Sequence, residues 1–196
     1  MSKQELQALN ELDLTDNPRL DKVRDLFLVG CWTGLRFSDF SNIQAKNIKG
    51  GFITIKTQKT GKEVVIPIHE VVLNILDKYK DKTENSLPPS ISNQKMNEYL
   101  KEIAEKAEFK ETVSKTFTKA GKTVTINKSK FDLVSCHTAR RSFATNMYLD
   151  SVPSITIMAI TGHTTESSFM KYIRITPQEH AEQLQTLWNR DKLKAV

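Results

Sequence analysis

Along most of the chain apolar residues recur at helical spacing, and two stretches break that rhythm for strict alternation. Ser2 followed by Glu5 has the spacing of a capping box and predicts a short helix at the N-terminus. RLDKVRDLFLVGCW, residues 19 to 32, predicts a second helix that Gly34 stops. Residues 52 to 68, FITIKTQKTGKEVVIPI, place β-branched residues in alternation on both sides of Lys-Thr-Gly-Lys and predict a hairpin with a lysine-rich turn. Helices are predicted at 69 to 80 and 92 to 107, separated by Pro88 and Pro89. VSKTFTKAGKTVTI predicts a second hairpin turning at Ala120 and Gly121. Ser135 then suits the N-cap of a helix reaching about Leu149, Pro153 the first turn of the next, and Gly162 its C-terminal stop. A short helix over 166 to 173 and a last one over 177 to 190 complete a mainly α fold with small β-hairpins, an α+β domain.

With 196 residues and 38% hydrophobic content, the chain suits one domain with its own core. Lysine and arginine (29) outnumber aspartate and glutamate (23), which suits a polyanionic partner. The excess concentrates between 110 and 130, where six lysines face only Glu111; that segment reads either as a solvated loop or as a phosphate-contacting arm. Cys31 and Cys136 form no metal-binding pair and read as reduced thiols. The longest apolar run, LFLVGCW, is too short to span a bilayer and the N-terminus is polar, so a cytoplasmic protein is expected.

Several residues are awkward to place in a core. His137 and Arg140 stand three apart and share a helix face, with small neighbours such as Ala139 and Ala144. Arg36 follows Thr33-Gly34-Leu35 directly, which sets a bidentate donor at the edge of the core. Each has an ordinary reading alone: a capping His137, an Arg36–Asp39 ion pair, a His163 in a helix C-terminal cap, and a Tyr172 packed beside Phe169 and Ile173.

Their order is more specific. Arg36, a lysine in a hairpin turn, HTAR at 137 to 140, Gly162-His163, and Tyr172 nine residues later resemble the ordered signature of the tyrosine recombinase, or phage integrase, family. The likeness runs from about Leu6 to Trp188, and HTARRSFAT resembles integrases of mobile elements from Bacteroidetes-type bacteria. It implies that residues 1–196 form a catalytic domain, with the N-terminal DNA-binding domain of such proteins outside this chain. By the same likeness, Arg36 and Arg140 match the phosphate-clamping arginines, His137 and His163 the two motif histidines, and Tyr172 the nucleophile. Lys59 matches the hairpin general acid, with Lys62 as the alternative; Asp39 stands where a glutamate is more usual. The implied partners are double-stranded DNA and three further copies of the chain, assembled through helix 177 to 190, whose Leu184, Leu187 and Trp188 form an apolar face. A bacterial, nucleoid-associated location is implied too, and no metal or other cofactor.

The chemistry accounts for the set. Charge gathering on an attacked phosphodiester can be stabilised by two rigid guanidiniums. A phenol with an ordinary pKa near ~10 needs nearby cations or a proton acceptor to act as a nucleophile. The leaving 5′ oxygen needs a proton, which a hairpin lysine can carry to it. Two rivals remain: a helix-turn-helix module formed by the Gly162 region, and a type IB topoisomerase sharing the same active-site chemistry.

Overall fold

The helix Pro18–Thr33 (α2) organises the core. Asn17 caps it by accepting from the Leu20 amide at 3.2 Å, and Pro18 occupies its first turn. From Leu20 to Cys31 all of its residues but Asp21 and Lys22 are buried, as expected of a central helix packed on most sides. Around it lie Lys3–Glu11 (α1), Glu70–Tyr79 (α4), Asn93–Lys106 (α5) and Cys136–Leu149 (α7). The computed structural model describes residues 1–119 and 122–194.

Two charged residues of α2 lie inside this helical layer. Arg24, 7% exposed, donates through Nη1 to the carbonyls of Leu9, Asn10 and Leu12, which satisfies the C-terminal end of α1. Its Nε and Nη2 donate to Asp25 and Asp21, and Asp25 Oδ2 accepts from Tyr79 and Lys78 of α4. One network therefore joins three helices.

The first predicted hairpin is Phe52–Lys56 (β2) paired antiparallel with Glu63–Pro67 (β3), and a short strand, Ile48–Lys49 (β1), extends it to three strands. Ile53 opposes Ile66 and Ile55 opposes Val64, so the apolar alternation faces the core. The second hairpin, Thr112–Lys119 (β4) with Lys122–Ser129 (β5), also forms; its predicted turn at Ala120 and Gly121 lies outside the described residues. Ser154–Thr161 (α8), Glu166–Met170 (α9) and Pro177–Lys194 (α10) follow. The fold is mostly helical with small antiparallel sheets, as the pattern of positions predicts.

The differences are local. Phe37–Phe40 (α3), β1 and Lys130–Leu133 (α6) escape sequence reading because each is too short to show a period. Pro153 sits at the N-cap of α8 and not within its first turn. Helix α9 ends at Met170, before the predicted 173, because the amides of Tyr172 and Ile173 turn back to the carbonyls of Phe169 and Met170. Helix α10 runs four residues past the predicted end.

Replacing Arg24 with Met should lower unfolding free energy by roughly 3–5 kcal/mol, because Asp25 would stay buried without its cation and the end of α1 would lose its donor. Urea unfolding followed by far-ultraviolet dichroism measures this; a loss below ~1 kcal/mol would mean that the network tolerates removal of its centre.

Candidate active site

Two backbone turns create the site. Gly34 ends α2 in the left-handed conformation (φ 67°), and a Cβ there would overlap the Phe143 ring of α7. The close approach lets Arg140 of α7 donate through Nη1 to the Gly34 carbonyl at 2.9 Å, two residues before Arg36. Both arginine-bearing segments are thus tied together. Gly162 ends α8 in the same conformation (φ 69°) and turns the chain so that His163 faces Arg140.

Arg140 is 1% exposed. Burial and then the like charge of Arg36 lower its proton affinity, to about 10, so it keeps its charge at neutral pH. Its Nη2 lies 3.0 Å from Nε2 and 3.3 Å from Nδ1 of His163. A donor in the ring plane at that position would collide with Cε1 between the two nitrogens, so the guanidinium lies over the imidazole face. Among the described residues neither Arg36 nor Arg140 forms an ion pair. Arg36 Nη1 and Arg140 Nε are both buried without a hydrogen-bond partner. Both arginines line an open cavity of about 330 Å³ with Ser38, Asn97, Ser135 and His137.

The Arg36–Asp39 ion pair that Asp39 suggested does not form. Asp39, 4% exposed, instead accepts from the Gln58 amide at 2.8 Å, while the Gln58 side chain donates to the Ser38 carbonyl at 2.9 Å. This clamps one end of the β2–β3 turn to α3. Thr57 closes the other end through Thr60 Oγ1 (2.7 Å) and the Lys62 carbonyl (3.1 Å). Lys59 and Lys62 project exposed from a tied turn.

His137 sits in the first turn of α7, more open to solvent than His163, with its ring centroid 5.0 Å from that of Tyr172. Partial burial, then the charges of Arg141, Arg140, Arg36 and Lys59, lower its proton affinity. His163, 6% exposed, is pushed down to about 3 by burial and the charges of Arg140 and Arg36, so it is neutral at physiological pH. Its ring centroid is 4.8 Å from that of Tyr172, and the Arg140 guanidinium carbon lies 5.3 Å from the Tyr172 ring. Tyr172 therefore stands among His137, His163 and Arg140. The helix–glycine–helix pattern that also suits a DNA-reading motif supplies His163 and the turn leading to Tyr172. Cys136, which also lines the cavity, is no competing nucleophile: burial pushes its thiol up to about 12.

Several positioning residues lie outside the sequence motifs. Thr145 of α7 donates to the Tyr172 carbonyl at 3.2 Å and accepts from the Arg174 amide at 3.3 Å, which pins the tyrosine segment to the histidine–arginine helix. The first amide of α7, Cys136 N–H, is capped from α5 by Asn97 Oδ1 at 2.8 Å. Ser135 holds the N-cap position, but its amide donates to Thr138 Oγ1 at 3.0 Å. Phe169, fully buried beneath His163 at 5.5 Å, sets the floor.

Comparison with known proteins agrees with this arrangement. The chain is 30% identical to the tyrosine recombinase XerA of Pyrococcus horikoshii over 177 residues, covering 89% of this chain and 56% of that one. It is 30% identical to the Pyrococcus furiosus XerA over 169 residues, covering 83% and 54%. The chain thus spans about half the length of these relatives. Its fold is shared with the XerA recombinase crystal structure (TM-score 0.70, 16% identity, 95% of this chain and 64% of that one) and with the catalytic domain of bacteriophage HP1 integrase (TM-score 0.58, 16% identity, 94% and 92%). The phage integrase family pattern matches residues 1–179, and on that match the chain belongs to the phage integrase family.

Proposed function

We propose that this chain is the catalytic domain of a site-specific DNA recombinase, in which Tyr172 breaks and rejoins strands at a phosphodiester. The observation that carries this reading is the pair of buried, unpartnered donors on Arg36 and Arg140, two residues that line one cavity together with His137, whose ring lies against Tyr172. A buried donor without a partner is costly, and two on charged groups suit an anion that arrives with the substrate. Similar folds are seen with DNA: the XerH recombinase (TM-score 0.65) in a post-cleavage complex with its difH substrate, and lambda integrase (TM-score 0.60) as a tetramer on a Holliday junction.

In the proposed reaction the two guanidiniums hold the non-bridging oxygens of the scissile phosphate. Tyr172 Oη attacks phosphorus, the bond to the 5′ oxygen breaks, and the products are a 3′-phosphotyrosine and a free 5′ hydroxyl. His137 and His163 flank the phenol as neutral rings able to take its proton. Lys59 protonates the leaving oxygen, and its charge is one of those acting on His137, which favours it over Lys62. The linkage conserves bond energy, so a 5′ hydroxyl from another strand reverses the step without ATP. Positive charge comes from the two arginines, so no metal ion enters the scheme.

Further assignments complete the reading. The chain works on double-stranded DNA in a bacterial cytoplasm, as part of a longer recombinase of a mobile element. Four copies assemble through α10, whose Leu184 and Trp188 are 46% and 61% exposed. The start of that helix stays on its own domain, since Gln183 donates to the Tyr148 carbonyl at 2.7 Å.

The first prediction concerns the nucleophile. Incubated in EDTA with a nicked suicide duplex bearing the element's own site, the wild type should form a detergent-resistant protein–DNA adduct that Tyr172→Phe cannot form; binding without any adduct would refute the reaction. Relaxation of supercoiled plasmid with no joining of two sites would assign the topoisomerase alternative.

Lys59→Ala should slow adduct formation at least ~100-fold, and Lys62→Ala much less. A 5′-bridging sulfur at the scissile position, whose leaving group needs little protonation, should restore the rate of Lys59→Ala. Rescue of Lys62→Ala alone would reassign the acid.

Double substitution of Leu184 and Trp188 by Ala should leave folding and single-site binding intact while abolishing the four-protomer complex, measured by light scattering on site DNA. Unchanged assembly would remove α10 from the interface.

A further inference from the structure

The cavity that holds the two arginines has an uncharged side, which the scheme above leaves unused. No residue lining it is an acid, and Asn93 and Asn97, one turn apart in the first half of α5, form part of its wall. Backbone fixes the direction of their hydrogen bonds. The Cys136 amide can only donate, so Oδ1 is the Asn97 atom that meets it at 2.8 Å. Asn97 Nδ2 then donates to Asn93 Oδ1 at 2.9 Å; the reverse orientation of Asn93 would set one NH2 group against another. Both hydrogens of Asn93 Nδ2 are left over, on an exposed side chain at the rim of the cavity, and no described residue accepts them.

We propose that Asn93 binds a phosphate next to the scissile one on the cleaved strand, as a neutral donor at the rim of the arginine cavity. The inference rests on the reading of this site as one for phosphodiester exchange. Asn97 caps the first amide of α7, and Arg140 stands four residues farther along that helix, so the asparagine pair and the arginine are separated by about one turn, ~6 Å, along its axis. The cavity has room for more than the scissile group: at ~30 Å³ for each water-sized atom, the five heavy atoms of a phosphate fill about half of its 330 Å³. Chemistry separates the two positions. Charge grows on the scissile phosphate during attack, which suits guanidiniums. The neighbouring phosphate keeps one charge throughout, so a neutral amide holds it equally well before and during the reaction. Asn93 thus serves binding and register, and the chemical step does not draw on it.

Binding is measured in Tyr172→Phe protein, which cannot cleave, by fluorescence anisotropy on a duplex bearing the element's own site. Adding Asn93→Ala should weaken binding ~10-fold. With Tyr172 intact, Asn93→Ala should leave the rate of adduct formation at saturating DNA within about threefold of the wild type. Replacing one phosphate at a time by a neutral methylphosphonate locates the contact. At one of the two linkages flanking the scissile phosphate, that replacement should cost the Asn93 protein ~10-fold in affinity and the Asn93→Ala protein less than ~2-fold. Asn93→Asp, which keeps the shape and suits the first turn of a helix, should bind the ordinary duplex more weakly than Asn93→Ala and lose that excess at the same linkage. Equal responses of the Asn93 and Asn93→Ala proteins at both flanking linkages overturn the proposal, as does unchanged binding of the ordinary duplex or a larger fall in the saturated rate. A wild type that binds duplex and forms no adduct counts against the strand-breaking reading alone, since the binding comparison needs no cleavage. No binding of duplex at all removes both.

Discussion

Arg140 is a fully buried cation that forms no ion pair among the described residues, and the rest of the site is arranged around that fact. Taking a guanidinium out of water is expensive unless its donors and charge are satisfied. The domain provides part of what is needed: the Gly34 carbonyl takes one donor and the His163 ring accepts the cation over its face. It stops short of a counter-ion. Asp39, whose charge acts on Arg140, spends one oxygen on the Gln58 amide and leaves the other buried and unpartnered. A site held in this state is preorganised for an anion, because its positive charge is fixed in place.

The same constraint explains the histidines. A protonated His163 beside Arg140 and Arg36 would add a third positive charge to a dry cluster, so its proton affinity collapses and the ring stays neutral. A neutral ring adds no further charge to the cluster. His137, more exposed, feels four surrounding cations and moves in the same direction. Two neutral rings and two charged guanidiniums around one phenol form a coherent set, in which each member's ionisation follows from the packing of the others.

The scaffold serves this cluster by bringing remote segments into register. Gly34 brings α2 close enough to α7 for Arg140 to reach a carbonyl beside Arg36. Asp39 and Thr57 tie down both ends of the lysine turn, and Thr145 fastens the Tyr172 segment back onto α7. The Arg24–Asp25 network does comparable work farther away, joining the three helices behind the site. Thr57 and Thr145 make their ties through neutral hydroxyls, which fix position without adding charge to the site.

Periodicity and turn residues determined the order and type of the long helices and hairpins, because those signals are local: a helix repeats every few residues and a left-handed cap needs glycine at Gly34 and Gly162. Short elements such as α3 and α6 were illegible for the same reason, being under two turns long. The sequence by itself also determined which chemical groups are present, since Arg36, Lys59, His137, Arg140, His163 and Tyr172 stand in a recognisable order. What only the tertiary structure decided is their state. Which donors are left unpaired, that Asp39 holds a turn and not an arginine, and that Asn97 of α5 caps α7 all depend on desolvation and on hydrogen bonds between packed elements. Those energies are set by neighbours brought together from distant parts of the chain, and no local pattern encodes them.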